Sequence, residues 1–328
     1  MWRSILVLIS TWALVPQVVV SAAEETAPIR VGIIGLDTSH AIAFTKDLNA
    51  DPAIPELAGC RVVAAYPQGS PDIKSSVERV PKYTEEIRKM GVEIVASIDE
   101  LLQRVDAVLL ETNDGRPHLE QVRPVYKARK PVFVDKPIAG SLVDAIAIIE
   151  EAKAAGVPMF SSSSLRFGNN TLAARKGALG SIERCETFSP ASLEPTHPDL
   201  FWYGIHGVES LFTVMGTGCK SVQRTTEEGN ITVTGQWEGG RVGVFREGKG
   251  YGGTAVGKEG QGAVGESSGY RPLVVEIVKF FRTGVAPVSA EETLEIYAFM
   301  EAADESKRNN GAEVTLESVL KKAGYPRQ

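Results

Sequence analysis

The sequence predicts an α/β chain in two parts: a doubly wound parallel sheet, then an α+β domain with a largely antiparallel open sheet. Three observations carry this. Up to about residue 160, short apolar runs alternate with amphipathic stretches of helical spacing. Those runs are rich in β-branched residues and lack polar alternation, as strands buried on both faces do. After Ser161 the texture changes to shorter strand-like segments broken by glycine turns.

The start of the chain stands outside both parts. Arg3, an apolar run from Ile5 to Val20 and the small residues Ser21 and Ala23 have the form of a secretory signal peptide. Cleavage after Ala23 is the expectation, giving an exported, periplasmic or secreted protein with no stable membrane insertion. An uncleaved anchor is the competing reading, since the uncharged stretch approaches a spanning length; Pro16 and the small-residue exit weigh against it.

The first part then covers 27–160. Its strands are "RVGIIG", "CRVVAAY", "VDAVLLE", "KPVFVDKP" and "VPMF", with helices over "SIDELLQR", "HLEQVRPVYKAR" and "SLVDAIAIIEEAKAAG". The last has Ser141 as N-cap, Asp144 three residues on and Gly156 as stop. The second part covers 161–328. Strands are expected in "SIERCETFSP", "SVQRTTEEG", "NITVTGQWEGGRVGVFREG" and "YGGTAVGKEG", with a hairpin around Glu238-Gly239-Gly240. Helices are expected in "GIHGVESLFTVMG", "RPLVVEIVKFFRTG" and "SAEETLEIYAFMEAADESKRNNG", and the closing ones can pack back on the first part.

A chain of 328 residues, 43% hydrophobic, has room for two cores. A net charge of −6 with interspersed signs and no basic stripe excludes a nucleic-acid binder. Lys127, Arg129 and Lys130 read as one solvated helix end. Cys60, Cys185 and Cys219 are too few for a disulfide framework and read as packing residues.

Three stretches could carry chemistry. In "VGIIGLDTSH", Gly35 fits the first glycine of a dinucleotide-binding G-x-G-x-x-G, but Asp37 and His40 stand at the second and third. A carboxylate there would repel a pyrophosphate, whereas Thr38 and Ser39 at a helix N-terminus could still receive an anion. An N-cap is the plainer role for Asp37 or Ser39. After the second strand no carboxylate awaits a ribose; Gly69-Ser70 with Lys74 nearby leans towards NADP over NAD, against an ordinary loop. In "VFVDKP", Lys136 ends a central strand, where open α/β sheets bind ligands. In "HPDLFWYGIHGVES", His206 and Glu209 share a helix face, and with Lys136 could form an acid/base pair over a carbinol. Trp202, with Phe201 and Tyr203, offers an aromatic face that either stacks on a sugar or fills the core. His197 and Asp199 lack distinctive ligand spacing, so no metal is expected.

Together these pieces resemble the glucose–fructose oxidoreductase / inositol dehydrogenase / MocA (Gfo/Idh/MocA) family over the whole mature chain. The family's E-K-P appears as Asp135-Lys136-Pro137, and its "ATPNxxHxE" as "ETNDGRPHLE", with Thr112, His118 and Glu120. Its "RRF" appears as "LRF" at 165–167, and its D-x-G-x-H-x-x-D as "WYGIHGVE", with Trp202 in place of the first Asp. The resemblance implies an N-terminal Rossmann domain for NADP or NAD and a second domain for a sugar or polyol. It implies Lys136, His206 and Glu209 as catalytic residues, and Arg166, Trp202 and Tyr203 as substrate contacts. For the cofactor it implies Gly35, Asp37, Thr38, Ser39, His40, Ser70, Thr112, His118, Asp135 and Lys136. Glu194, Asp199 or Glu209 would stand in for the Asp missing beside His206. NAD(P)-dependent hydride transfer on a small carbohydrate is the implied activity, with pairing of chains through the open sheet. The departures at Asp37, His40 and Trp202 keep two alternatives in view: a lyase or glycoside-cleaving enzyme, and a non-catalytic carbohydrate-binding protein.

Overall fold

A computed structural model describes residues 27–227 and 229–325. The expected signal peptide lies outside these residues. Six strands form the first sheet: β1 (Ile29–Ile34), β2 (Cys60–Tyr66), β3 (Glu93–Ile94), β4 (Ala107–Leu110), β5 (Val132–Val134) and β6 (Met159–Ser161). Their spatial order is β3-β2-β1-β4-β5-β6, with all pairings parallel. The order reverses between β1 and β4, which opens a crevice at the strands' carboxyl ends.

Between the strands run α1 (Ser39–Leu48), α2 (Lys74–Lys89), α3 (Ile98–Leu102), α4 (His118–Lys127) and α5 (Leu142–Ala155). The missing polar alternation has its explanation in two apolar cores, one on each face. Ile33, Leu109 and Phe133 face one; Ile34, Leu110 and Val134 face the other. In α5, the Asp144 N–H donates to the Ser141 hydroxyl, and Gly156 closes the helix at φ +64. Helix α2 is a finding the sequence did not announce. It buries only Ser76, Thr84 and Ile87 and carries Pro81 inside, so its apolar period is faint.

The second sheet has seven strands: β7 (Ile182–Ser189), β8 (Cys219–Glu227), β9 (Asn230–Trp237), β10 (Val242–Glu247), β11 (Gly252–Gly257), β12 (Gly260–Ala263) and β13 (Val314–Thr315). The order is β12-β11-β7-β10-β9-β8-β13, antiparallel except for β7 beside β10. Gly239 and Gly240, at φ +72 and +76, make the β9–β10 turn. The helices of this half are α6 (Asn169–Arg175), α7 (Ile205–Met215), α8 (Arg271–Thr283), α9 (Ala290–Arg308) and α10 (Leu316–Lys322).

Helix α8 leaves its own half and joins the first sheet. Leu273, Val274, Ile277, Val278, Phe280 and Phe281 are buried with Ile33, Leu109, Phe133 and Phe160. The Phe280 ring meets Phe160 edge-on at 4.9 Å. Each such side chain contributes about 1.5–3 kcal/mol of hydrophobic burial. Helix α9 packs on α5 on one side and on β8 on the other. The three cysteines are buried and free.

Candidate functional site

A cavity of about 340 Å³ lies between the carboxyl ends of the first sheet and the chain entering α7. Its first wall is the turn after β1. Gly35 takes φ +94, and a Cβ there would overlap the Thr112 backbone nitrogen, so only glycine fits. Thr38 caps α1, and Thr38, Ser39 and His40 line the cavity at that helix's N-terminus. Lys136, at the end of β5, reaches the same space, with Asn113 beside it. Its ammonium lies 3.7 Å from Asp135 Oδ2.

The facing wall comes from the second half: His206, Trp202, Tyr203 and Tyr251, with Ser164 and Leu165. The Tyr203 ring meets the His206 ring edge-on at 5.0 Å, and its hydroxyl lies 2.9 Å from that of Tyr251. Trp202 packs against His197 at 4.9 Å. Phe201 alone of the three aromatics fills the core, against Tyr297. None of the carboxylates expected beside His206 is there. His206 Nδ1 instead lies 2.7 Å from the Ser163 hydroxyl. Burial, reinforced by the nearby Lys136 charge, lowers the His206 pKa well below the usual imidazole range. The ring is therefore neutral at pH 7.

Several residues expected at the site are turned away from it. Asp37 is buried, and its carboxylate accepts hydrogen bonds from the Asn113 N–H (2.8 Å) and the Ser76 hydroxyl (2.7 Å). It ties two loops together instead of facing an anion. Ser70 donates to Asp114 at 2.5 Å, and Asp114 is also held by Arg116 and lies 3.0 Å from His197 Nε2. Burial would raise the Asp114 pKa, but these partners outweigh it and hold the carboxyl well below its ordinary range. The β2–α2 connection is thus fastened over the turn, with the Leu36 N–H donating to the Gln68 carbonyl. Lys74, exposed on α2 and 3.9 Å from Glu78, does not line the cavity.

Thr112 supports the Gly35 turn and accepts from Gln121, while His118 is buried between the Thr112 and Ile138 carbonyls at 2.7 and 3.1 Å. Both are structural here. So are Glu209 and Arg166, which the sequence placed on catalysis and substrate. Arg166 donates to Glu209 and Glu292, both at 2.6 Å, and all three are buried behind the cavity wall. Ser162 adds a third tie to Glu209 at 2.9 Å. Asp199 pairs with Arg224 and Lys307, at 2.6 and 2.7 Å.

The structure adds residues that sequence reading missed. Ser75 and Arg79 from α2, and Ser267, Gly269 and Tyr270 before α8, line the cavity. Arg79 Nη1 donates to the Asp37 carbonyl at 3.3 Å, setting a guanidinium over the turn. The faint period of α2 hid it. Deeper in, Glu111 and Asp135 are fully buried at the ends of neighbouring strands, with His40 Nδ1 2.9 Å from Asp135 Oδ2. Burial and the Asp135 charge raise the Glu111 pKa well above the carboxylate range. Burial opposes ionisation of Asp135 as well, but His40 and Lys136 outweigh it and hold that carboxyl low.

A switch-point crevice with a helix N-terminus, a strand-end lysine and a facing imidazole defines a Rossmann-like fold joined to a second, mostly antiparallel sheet. Comparison makes this specific. Residues 29–162 match the Gfo/Idh/MocA profile, described as an oxidoreductase family with an NAD-binding Rossmann fold. Over these residues, which span the first sheet, the chain is similar to that family. It is 32% identical over 123 residues to a myo-inositol 2-dehydrogenase of Thermotoga maritima, covering 36% of each chain. It is 34% identical over 99 residues to a 2,7-anhydro-N-acetylneuraminate hydratase of Escherichia coli, covering 28% of this chain and 26% of that one. The matched stretches thus span about a third of the first relative's length and about a quarter of the second's. A probable dehydrogenase of T. maritima shares the fold at a TM-score of 0.70 and 22% identity, covering 89% of this chain and all of that one. A scyllo-inositol dehydrogenase of Lactobacillus casei, solved with NAD(H) and scyllo-inositol, does so at 0.70 and 15%, covering 88% and 99%.

Proposed function

We propose that this chain is an NAD(P)-dependent oxidoreductase acting on a sugar or polyol, with Lys136 and His206 as its catalytic residues. The observation that carries the reading is their convergence on one cavity from two domains. Part of a dinucleotide fits the residues present. The α1 N-terminus, Ser75 and Arg79 suit phosphate, and Asp37 is turned aside, so its charge does not oppose an anion. The end of β2 offers no acidic partner for a ribose, and the fastened 67–73 connection fills that corner. Arg79 therefore replaces Ser70 and Lys74 as the reason to favour NADP over NAD.

When bound, the nicotinamide supplies hydride acceptance and donation. The chain's residues supply the rest. Lys136 donates to the substrate oxygen and steadies its charge. With Nδ1–H donating to Ser163, His206 Nε2 keeps its lone pair for the carbinol proton, and its low pKa keeps it available. Trp202 and Tyr203 give a sugar ring an aromatic face. Export by the N-terminal signal and pairing of chains through the open second sheet complete the reading.

The test is mass spectrometry of small molecules released from the purified native chain, with NADH and NADPH titrations and a polyol panel. A released or bound nicotinamide nucleotide and substrate-dependent reduction are expected. No nucleotide in either measurement refutes the reading.

A further inference from the structure

The end of the first sheet holds a cluster that hydride chemistry does not use. Leu110 of β4 pairs with Val134 of β5, so the next residues, Glu111 and Asp135, stand side by side. Both side chains are fully buried. His40 Nδ1, from the first turn of α1, closes the group, and one ligand atom from each residue lies within 4.8 Å of the others. Both Glu111 oxygens and Asp135 Oδ1 lack a hydrogen-bond partner among the described residues, and the one close contact inside the group is His40 Nδ1 with Asp135 Oδ2 at 2.9 Å.

Burying one carboxylate costs several kcal/mol unless it is compensated, and two side by side cost more. Lys136 lies 3.7 Å from Asp135 Oδ2, and its charge opposes the rise in the Glu111 pKa without overcoming it. A proton shared between the carboxyls would form one hydrogen bond and leave the second Glu111 oxygen bare. Moreover, Glu111 and Asp135 are not hydrogen-bonded to each other. A single cation satisfies all three residues at once. One imidazole nitrogen with two carboxylates is a donor set for a divalent first-row transition metal, and three protein ligands leave coordination positions open. Two of the donors also depart from the family's pattern: His40 stands at its third glycine, and Glu111 at the Ala of "ATPN". The expectation of no metal rested on short ligand spacing, whereas these donors come from residues 40, 111 and 135.

We propose that His40, Glu111 and Asp135 bind one divalent transition-metal ion, of the Zn²⁺ or Mn²⁺ type, beneath the cavity floor beside Lys136.

The test uses the whole chain without an affinity tag, purified without chelator. Elemental analysis should find close to one equivalent of transition metal. After chelator treatment, ZnCl₂ or MnCl₂ should bind at one site by calorimetry and raise the unfolding temperature. Glu111→Gln and Asp135→Asn should each weaken that binding by on the order of 100-fold. If either carboxylate variant fails to fold, His40→Gln gives the same readout from outside the sheet. Absence of one-site binding by both metals in the wild-type chain overturns the proposal, as does undiminished binding in the folded variants. Titrating NADPH into the same samples keeps the two readings apart: metal without nucleotide refutes only the oxidoreductase, and nucleotide without metal only this site.

Discussion

Replacing Glu209 by alanine separates a catalytic role from a structural one. In the wild-type protein the Arg166 guanidinium is buried, with Nε on Glu209 and Nη1 on Glu292, each at 2.6 Å. Its Nη2 already lacks a hydrogen-bond partner among the described residues. Removing one partner of a buried pair costs about 3–5 kcal/mol. Glu292 still pairs with Arg166 in the variant, so the low end, ~3 kcal/mol, applies. At about 2 °C per kcal/mol for a chain of this size, the unfolding temperature should fall by ~6 °C. Differential scanning calorimetry measures it, and turnover assayed well below the new midpoint should stay within about threefold of wild type. An unchanged midpoint with turnover abolished would refute this and return Glu209 to the acid/base machinery.

Lys136→Ala and His206→Ala should each lower kcat by about 10²–10⁴ with little change in NADPH affinity, read by steady-state kinetics and fluorescence titration. Arg79→Ala removes a charge-assisted contact worth about 1.5–3 kcal/mol and should weaken nucleotide binding by ~10–100-fold. Gly35→Ala forces a side chain into a left-handed backbone against Thr112 and should cost at least ~2 kcal/mol in urea unfolding. The lowered His206 pKa means the unfolded chain takes up protons first as pH falls through about 6.5. Stability should therefore drop on the acid side until the folded-state value is reached. His206→Gln should show a shallower drop, with the remaining slope partly due to His118, whose pKa burial also lowers.

The strands of the first sheet and the capped helix α5 were legible because backbone requirements write themselves locally. Ser141, Asp144 and Gly156 are each a short-range signal. Lys136 and His206 were legible because strand ends and helix faces place single residues well. What escaped was whatever depends on a neighbour distant in sequence. Asp37 looked like an obstacle to phosphate until Asn113 and Ser76 took up its carboxylate. Glu209 looked like a partner for His206 because the two lie three apart, but Arg166 draws it to the other side. The cavity contacts Ser75 and Arg79 sit on a helix with scarcely any apolar face to reveal it.

Helix α8 has a consequence for how the chain is made. The face of the first sheet bearing Phe133 and Phe160 is covered by a helix that begins at Arg271, 110 residues after that sheet's last strand. During synthesis the first domain stays apolar on that side until nearly the whole chain has emerged. Residues 27–160 produced alone should accordingly be sticky and unstable, so the domain boundary in sequence is not a boundary in folding.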